Sequence, residues 1–130
     1  MKKILVLAVT ILALFSAVAC GAVPTGQTGY TSITQEEAKK KMDDNFKGVI
    51  LDVRSKEEYD QGHIKNAILV PNESIDKTPP RELPDKQAEI LVYCRSGNRS
   101  KKAAEKLAAM GYTHVLEFGG IITWKYGLVK

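Results

Sequence analysis

The sequence predicts an α/β domain built on a parallel sheet, and three observations carry that expectation. Short apolar runs rich in β-branched residues alternate with helix-patterned segments. Two of those segments open with Ser/Thr-x-x-Glu capping boxes, Thr34–Glu37 and Ser55–Glu58. Gly62, Pro71 and Gly111 then punctuate the ends of elements.

The elements follow in order. Thr34-Gln35-Glu36-Glu37 starts a helix that should run to about Asp43. Val49 to Val53 is a short apolar run with the look of a buried strand. Ser55 opens a second, short helix that Gly62 ends, and Ala67 to Val70 is a strand stopped by Pro71. Residues 72–88 hold Pro79, Pro80 and Pro84 among charges and read as loop with room for one short helix. Glu89 to Tyr93 is the third buried strand. Ser100 to Met110 places Ala103, Leu107 and Met110 on one face, an amphipathic helix with Gly111 as its stop. His114 to Glu117 is a fourth strand, and Gly119-Gly120 reads as a turn before a last short helix around 121–126.

The 130 residues, 44% of them hydrophobic, suit one ordinary domain rather than two cores. The first twenty read as an address. Met1-Lys2-Lys3 is basic, Ile4 to Ala19 carries no charge, and small residues lead into Cys20. Three readings compete: lipoprotein-type cleavage before Cys20 with lipidation of that cysteine, ordinary signal cleavage near Ala19, and an uncleaved anchor helix. The first fits best, because Ser16-Ala17-Val18-Ala19-Cys20 resembles the bacterial lipobox, although Ala17 stands where Leu is commoner. An anchor needs about 20 apolar residues, which this run only just reaches. All three place the rest of the chain outside the cytoplasm, in the periplasm or cell envelope, held to a membrane only by a lipid anchor in the favoured case. Residues 20–29 then form a Gly/Pro/Thr/Gln tether and 30–130 the domain.

Charge excludes one class of partner. Without residues 1–19, Lys+Arg falls from 19 to 17 against 15 acidic residues, a formal charge of +2. Lys39-Lys40-Lys41 is flanked by Glu36-Glu37 and Asp43-Asp44, which describes a solvated helix face rather than a nucleic-acid patch. Two cysteines and two distant histidines offer no metal-ligand spacing.

Chemistry concentrates in Tyr93-Cys94-Arg95-Ser96-Gly97-Asn98-Arg99-Ser100, between a strand and a helix. Ligands of parallel α/β sheets bind at such carboxyl ends of strands. A loop entering a helix N-terminus turns backbone N–H groups inward, Gly97 permits the required backbone, and Arg95 and Arg99 add positive charge. Each feature favours thiolate over thiol and makes Cys94 a nucleophile near neutral pH. A lone cysteine is ordinarily a small buried hydrophobe, but the polar set that follows Cys94 is unsuited to burial. No C-x-x-C is present, which argues against a thioredoxin-like oxidoreductase.

Cys94-Arg-Ser-Gly-Asn-Arg-Ser100 resembles the active-site loop of single-domain rhodaneses. The likeness extends in order through Leu51-Asp52-Val53-Arg54, Glu58-Tyr59, Gly62-His63-Ile64, Asn66-Ala67, Gly111-Tyr112 and Gly119-Gly120-Ile121 with Trp124, roughly residues 31–127. It implies a single domain with a five-stranded, mostly parallel sheet flanked by helices on both faces, its first strand from Tyr30–Ile33. It also implies a sulfurtransferase needing no metal and no other cofactor. The Cys94 thiolate takes the outer sulfur of thiosulfate or a similar small anionic donor, and sulfite leaves. The Cys94 persulfide passes its sulfur to cyanide or a thiol, including a thiol of a sulfur-accepting protein. The backbone of Arg95, Ser96, Gly97, Asn98, Arg99 and Ser100 would stabilise the persulfide, with Arg95 attracting the donor. Arg99 either points into the site or pairs with an acid such as Asp52, the second being favoured. Arg54 serves the fold and is also a candidate substrate contact. Asp52, His63 and Trp124 are expected to serve the fold.

Two other functions stay in view. A phosphatase or arsenate reductase of the related fold uses Cys-x5-Arg, whereas Cys94-x4-Arg99 makes a smaller loop, and Tyr93 stands where a phosphatase usually has histidine. A sulfur carrier or binding module of the same fold would turn over little thiosulfate.

Overall fold

The apolar runs become adjacent strands because each is short, rich in β-branched side chains and bounded by turn chemistry. The computed structural model describes residues Gly29–Lys130; the expected signal segment 1–19, Cys20 and residues 21–28 of the expected tether lie outside them. The order is β1 (Thr31–Ser32), α1 (Gln35–Asp43), β2 (Val49–Asp52), α2 (Lys56–Gln61), β3 (Ile68–Leu69), β4 (Glu89–Cys94), α3 (Asn98–Ala109) and β5 (His114–Gly120). Two 3-10 turns, Asn72–Ser74 and Ile121–Thr123, complete it. The five strands form one sheet in the order β1-β5-β4-β2-β3, and every strand pair is parallel. The expected α/β architecture is therefore observed, with its first strand at Thr31–Ser32.

Both capping boxes form. The Thr34 and Ser55 hydroxyls accept from the N–H groups of Glu37 and Glu58, whose carboxylates accept back from Thr34 and Ser55. Period-2 alternation in β4 sends Ile90, Val92 and Cys94 to one face and Leu91 and Tyr93 to the other. The first face packs against Ala103, Ala104 and Leu107 of α3. The second packs against Ala38 and Met42 of α1 and Tyr59 of α2. Burying each large apolar side chain of β4 contributes about 1.5–3 kcal/mol before entropy is set against it. All six residues of β4 except Glu89 are buried, because helices cover both faces of this central strand.

This layering positions the site. The chain leaves β2 for α2 on one face and leaves β4 for α3 on the other. The loops after these neighbouring strands diverge, opening the crevice typical of a topological switch point. Cys94 and Arg54 stand at that crevice.

Two end-of-chain expectations change. Gly119-Gly120 is not a turn but the end of β5, where Cys94 registers with Gly120 through an irregularity after Val92. Gly120 is glycine because a Cβ there would lie 1.9 Å from the Arg95 carbonyl oxygen. The helix expected around 121–126 is only the three-residue turn Ile121–Thr123, held by the Gln35 amide, which donates to Gly120 O and Thr123 Oγ1.

Candidate active site

Cys94 ends β4, and α3 begins only four residues later at Asn98. Gly97 makes the reversal at φ 103°, a left-handed conformation in which a Cβ would be strained. It occupies the N-cap without a side-chain oxygen to cap the helix, so the first turn of α3 meets the loop with backbone alone. The Gly97 N–H donates to Cys94 Sγ at 3.0 Å, and the Ser100 hydroxyl lies 3.4 Å from the same sulfur. The N–H is placed to donate to the sulfur, and the hydroxyl to accept from the thiol.

Burial is distributed differently from the sequence expectation. Cys94 is fully buried, packed among Val92, Ala103 and Leu107 neighbours, although polar residues follow it. The reason is the curl of the loop. It encloses Cys94, Gly97 and Ser100 while turning Arg95, Ser96 and Asn98 to solvent. Arg95 stays at the rim, its carbonyl accepting from Ile122 N at 3.1 Å. Beside it, a cleft of about 380 Å³ is lined by Arg54, Glu58, Arg95, Ile122 and Leu128. A larger cavity, about 750 Å³, lies away from this loop between α1 and Trp124 and includes none of the loop residues.

Arg99 braces the loop, but its partner is Glu58 rather than Asp52. Its guanidinium forks onto the Glu58 carboxylate at 2.7 and 2.8 Å, tying α3 to α2. This bond holds the Glu58 carboxyl down to about 2, with the Ser55 backbone and hydroxyl reinforcing it against burial. Arg99 is correspondingly raised. The folded value lies below the ordinary 4.5, so the pair's stabilisation is present above pH 4.5 and disappears as pH falls toward 2. The two side chains are 27% and 30% exposed, so solvent screening reduces the contribution to about 1 kcal/mol. Urea midpoints across that window should fall more steeply for the wild-type chain than for Glu58→Gln; parallel falls would contradict the assignment.

Asp52 pairs with Arg54 instead. Its carboxylate accepts from Arg54 N, Nε and Nη2 and from the Tyr93 hydroxyl, while Arg54 Nη2 also donates to Gly62 O. Burial pushes the Tyr93 hydroxyl up, and Asp52 adds to it. The Arg54 guanidinium is thus occupied by the fold, with only its edge toward the cleft. His63 is also structural: its backbone bridges Val129 and its ring stacks on Tyr59 at 3.8 Å. Trp124 packs on Phe118.

Sequence reasoning passed over two acids. The sequence marks Glu58 as a capping residue and as part of the family-like Glu58-Tyr59 pair, with no sign that it meets Arg99. Glu117 was read only as a strand end, yet it is 2% exposed beneath the loop, accepting from Ser100 Oγ at 2.7 Å and Gly119 N at 2.8 Å. The available signal was an acid placed between Leu116 and Phe118 in a buried strand.

A parallel α/β domain with a cysteine loop feeding a helix N-terminus at the switch point defines a class with few alternatives. The chain matches the rhodanese-like domain family over residues 34–126, and it belongs to that family. It is 41% identical over 71 residues to the thiosulfate sulfurtransferase PspE of Escherichia coli (strain K12), a match covering 55% of this chain and 68% of that protein. It is 37% identical over 100 residues to a sulfurtransferase of Allochromatium vinosum, covering 74% of this chain and 90% of the other. Among solved structures, the rhodanese-like domain protein from Staphylococcus aureus superposes with a TM-score of 0.65 at 36% identity, covering 76% and 96% of the two chains. The relatives are thus rhodanese-family sulfurtransferases.

Proposed function

We propose that this protein is a thiosulfate sulfurtransferase working through a Cys94 persulfide. The observation that supports it most is the Cys94 sulfur at the end of the central strand, receiving the Gly97 N–H at 3.0 Å. The thiolate attacks the outer sulfur of thiosulfate, the S–S bond to the sulfonate breaks, and sulfite leaves with the bonding pair. One charge on Cys94 and two on thiosulfate become one on the persulfide and two on sulfite. Cyanide or a thiolate then attacks the outer persulfide sulfur and regenerates the Cys94 thiolate, giving thiocyanate or a new persulfide. The N–H groups of the loop stabilise the anion at each stage. Arg95, exposed at the rim, attracts the anionic donor. The sulfur is covered, so a donor reaches it as residues 95–98 shift. The bonds that must give way are Ile122 N to Arg95 O, Lys101 N and Ser100 Oγ to Gly97 O, and Gly97 N to Cys94 Sγ.

The fork of Arg99 onto Glu58 directs its charge away from the loop centre, which disfavours the phosphatase reading. Thiosulfate should add the mass of one sulfur to Cys94 and release sulfite, and cyanide should reverse this with thiocyanate formed. No mass gain and no sulfite would remove the reading. A carrier fed by a partner's persulfide would instead accept sulfur only from protein donors.

We also propose an extracytoplasmic, lipid-anchored location, resting on the basic and apolar pattern of residues 1–19 before Cys20. Cys20→Ala should move the protein from the membrane fraction to the soluble one. Retention in membranes would count against lipidation.

A further inference from the structure

Forming the Cys94 thiolate requires a place for the thiol proton. The buried surroundings of the sulfur offer one route. Cys94 Sγ lies 3.4 Å from Ser100 Oγ, oriented for the thiol to donate, and Ser100 Oγ lies 2.7 Å from Glu117 Oε1. The Ser100 hydroxyl has one hydrogen, and Gly97 O at 3.0 Å and Gly119 O at 3.4 Å are its other acceptors. The shorter contact, to a carboxylate, is the stronger one. Thiol, hydroxyl and carboxylate therefore stand in a single donor-to-acceptor line. Glu117 is 2% exposed, and Cys94 and Ser100 are fully buried.

We propose that Glu117 is the internal proton acceptor of Cys94, acting through the Ser100 hydroxyl. The S–H bond breaks and its proton goes to Ser100 Oγ as the Ser100 proton passes to Glu117 Oε1. Thiol plus carboxylate become thiolate plus carboxylic acid, so the site carries one negative charge before and after. Sharing one charge is favoured because two anions a single hydroxyl apart, away from water, repel strongly. The persulfide is again an anion, so Glu117 keeps the proton through both halves of the reaction. Glu117 touches neither sulfur nor donor and is a positioning residue.

The surrounding charges leave this pair largely to itself. Arg99 of α3 acts on Cys94 at a distance while its fork is held by Glu58. Lys101 of α3 lines the opening beside Glu117, and its side chain is exposed. Arg95 is exposed at the loop rim. From α1 that opening receives Gln35, which is neutral. The flanking strands place Ser32 of β1 and Val92 of β4 in register with Glu117.

The inference rests on Cys94 being the reacting thiol, and its test reads the thiol rather than turnover. Failure of sulfur transfer would therefore leave it standing. The rate of iodoacetamide alkylation at the Cys94 peptide should be followed against pH in the full chain. The wild type should rise in two steps, since a shared proton gives two macroscopic titrations. Glu117→Gln keeps an acceptor oxygen for Ser100 but cannot take the proton, and it should lose one step and rise in a single transition. A single wild-type transition that Glu117→Gln leaves alone or merely displaces would overturn the proposal. An unmutated measurement guards against a variant that does not fold. Alkylating Cys94 in the wild-type chain at intermediate pH removes the thiolate charge, so Glu117 should ionise. Infrared difference spectra should then show a protonated-carboxyl band replaced by carboxylate, and absence of that exchange would equally overturn it.

Discussion

Cys94→Ser is expected to abolish sulfur uptake from thiosulfate completely while changing stability by no more than about 1–2 kcal/mol. The substitution separates chemistry from architecture. A serine oxygen at this position still accepts from the Gly97 N–H, whose sulfur acceptor lies at 3.0 Å in the native loop. Alanine would leave that buried donor unpaired, at a cost of about 1–3 kcal/mol. The loop should therefore keep its conformation, and Arg99 should keep its fork on Glu58. What disappears is the anion. A serine hydroxyl is far less acidic than a thiol, so even beside Ser100 and Glu117 it is not ionised near neutral pH and is a poor nucleophile. Intact mass after incubation with thiosulfate reads the first half of this expectation, and the urea midpoint reads the second. Sulfur appearing on the variant would move the acceptor site elsewhere. A stability loss well above 2 kcal/mol would mean that the thiol contributes more to the core than its contacts indicate.

The sequence made the order of elements legible because local signals agree with the tertiary structure. Two complete capping boxes mark where α1 and α2 begin, and these are interactions among residues four positions apart or fewer. The unbroken apolar run of β4 marks a strand covered on both faces. Cys94 and Gly97 stood out because the reversal from strand to helix in so few residues demands glycine. Long-range pairing was not legible. Asp52 and Glu58 are both acids far from the loop in sequence, and only the fold decides between them. Arg54 lies two residues from Asp52 and takes its carboxylate, while Arg99 reaches Glu58 across 41 residues. The Gly119-Gly120 pair misled for a similar reason. A turn and a close backbone approach both call for glycine, and it is the Arg95 carbonyl, 25 residues earlier, that requires it at Gly120. Glu117 was hidden because its partner Ser100 lies on another element.

Asp52→Ala should be the most destabilising of the single substitutions considered, by about 3–5 kcal/mol. That is a large part of the 5–15 kcal/mol typical of a domain. The Asp52 carboxylate is fully buried and accepts from Arg54 and from Tyr93, the latter at 2.6 Å. Its removal leaves the Arg54 guanidinium, 4% exposed, with only the Gly62 carbonyl oxygen, at 2.8 Å, to accept from it among the described residues. A buried cation without its anion is the costly state, not the absence of the pair. The double variant Asp52→Ala with Arg54→Met should therefore be more stable than Asp52→Ala alone, because the desolvated charge has gone and an apolar side chain fills its volume. Arginine keeps its proton throughout the ordinary pH range, so loss of a proton cannot relieve the orphaned charge in the variant. The consequence should reach the active site. Arg54 anchors Gly62, the end of α2, and α2 carries the Glu58 that holds Arg99 beside the loop. Urea denaturation of the two variants measures the ordering directly. If the double variant proves no more stable than Asp52→Ala, the cost lies in lost packing around Asp52 and Tyr93 rather than in the orphaned charge.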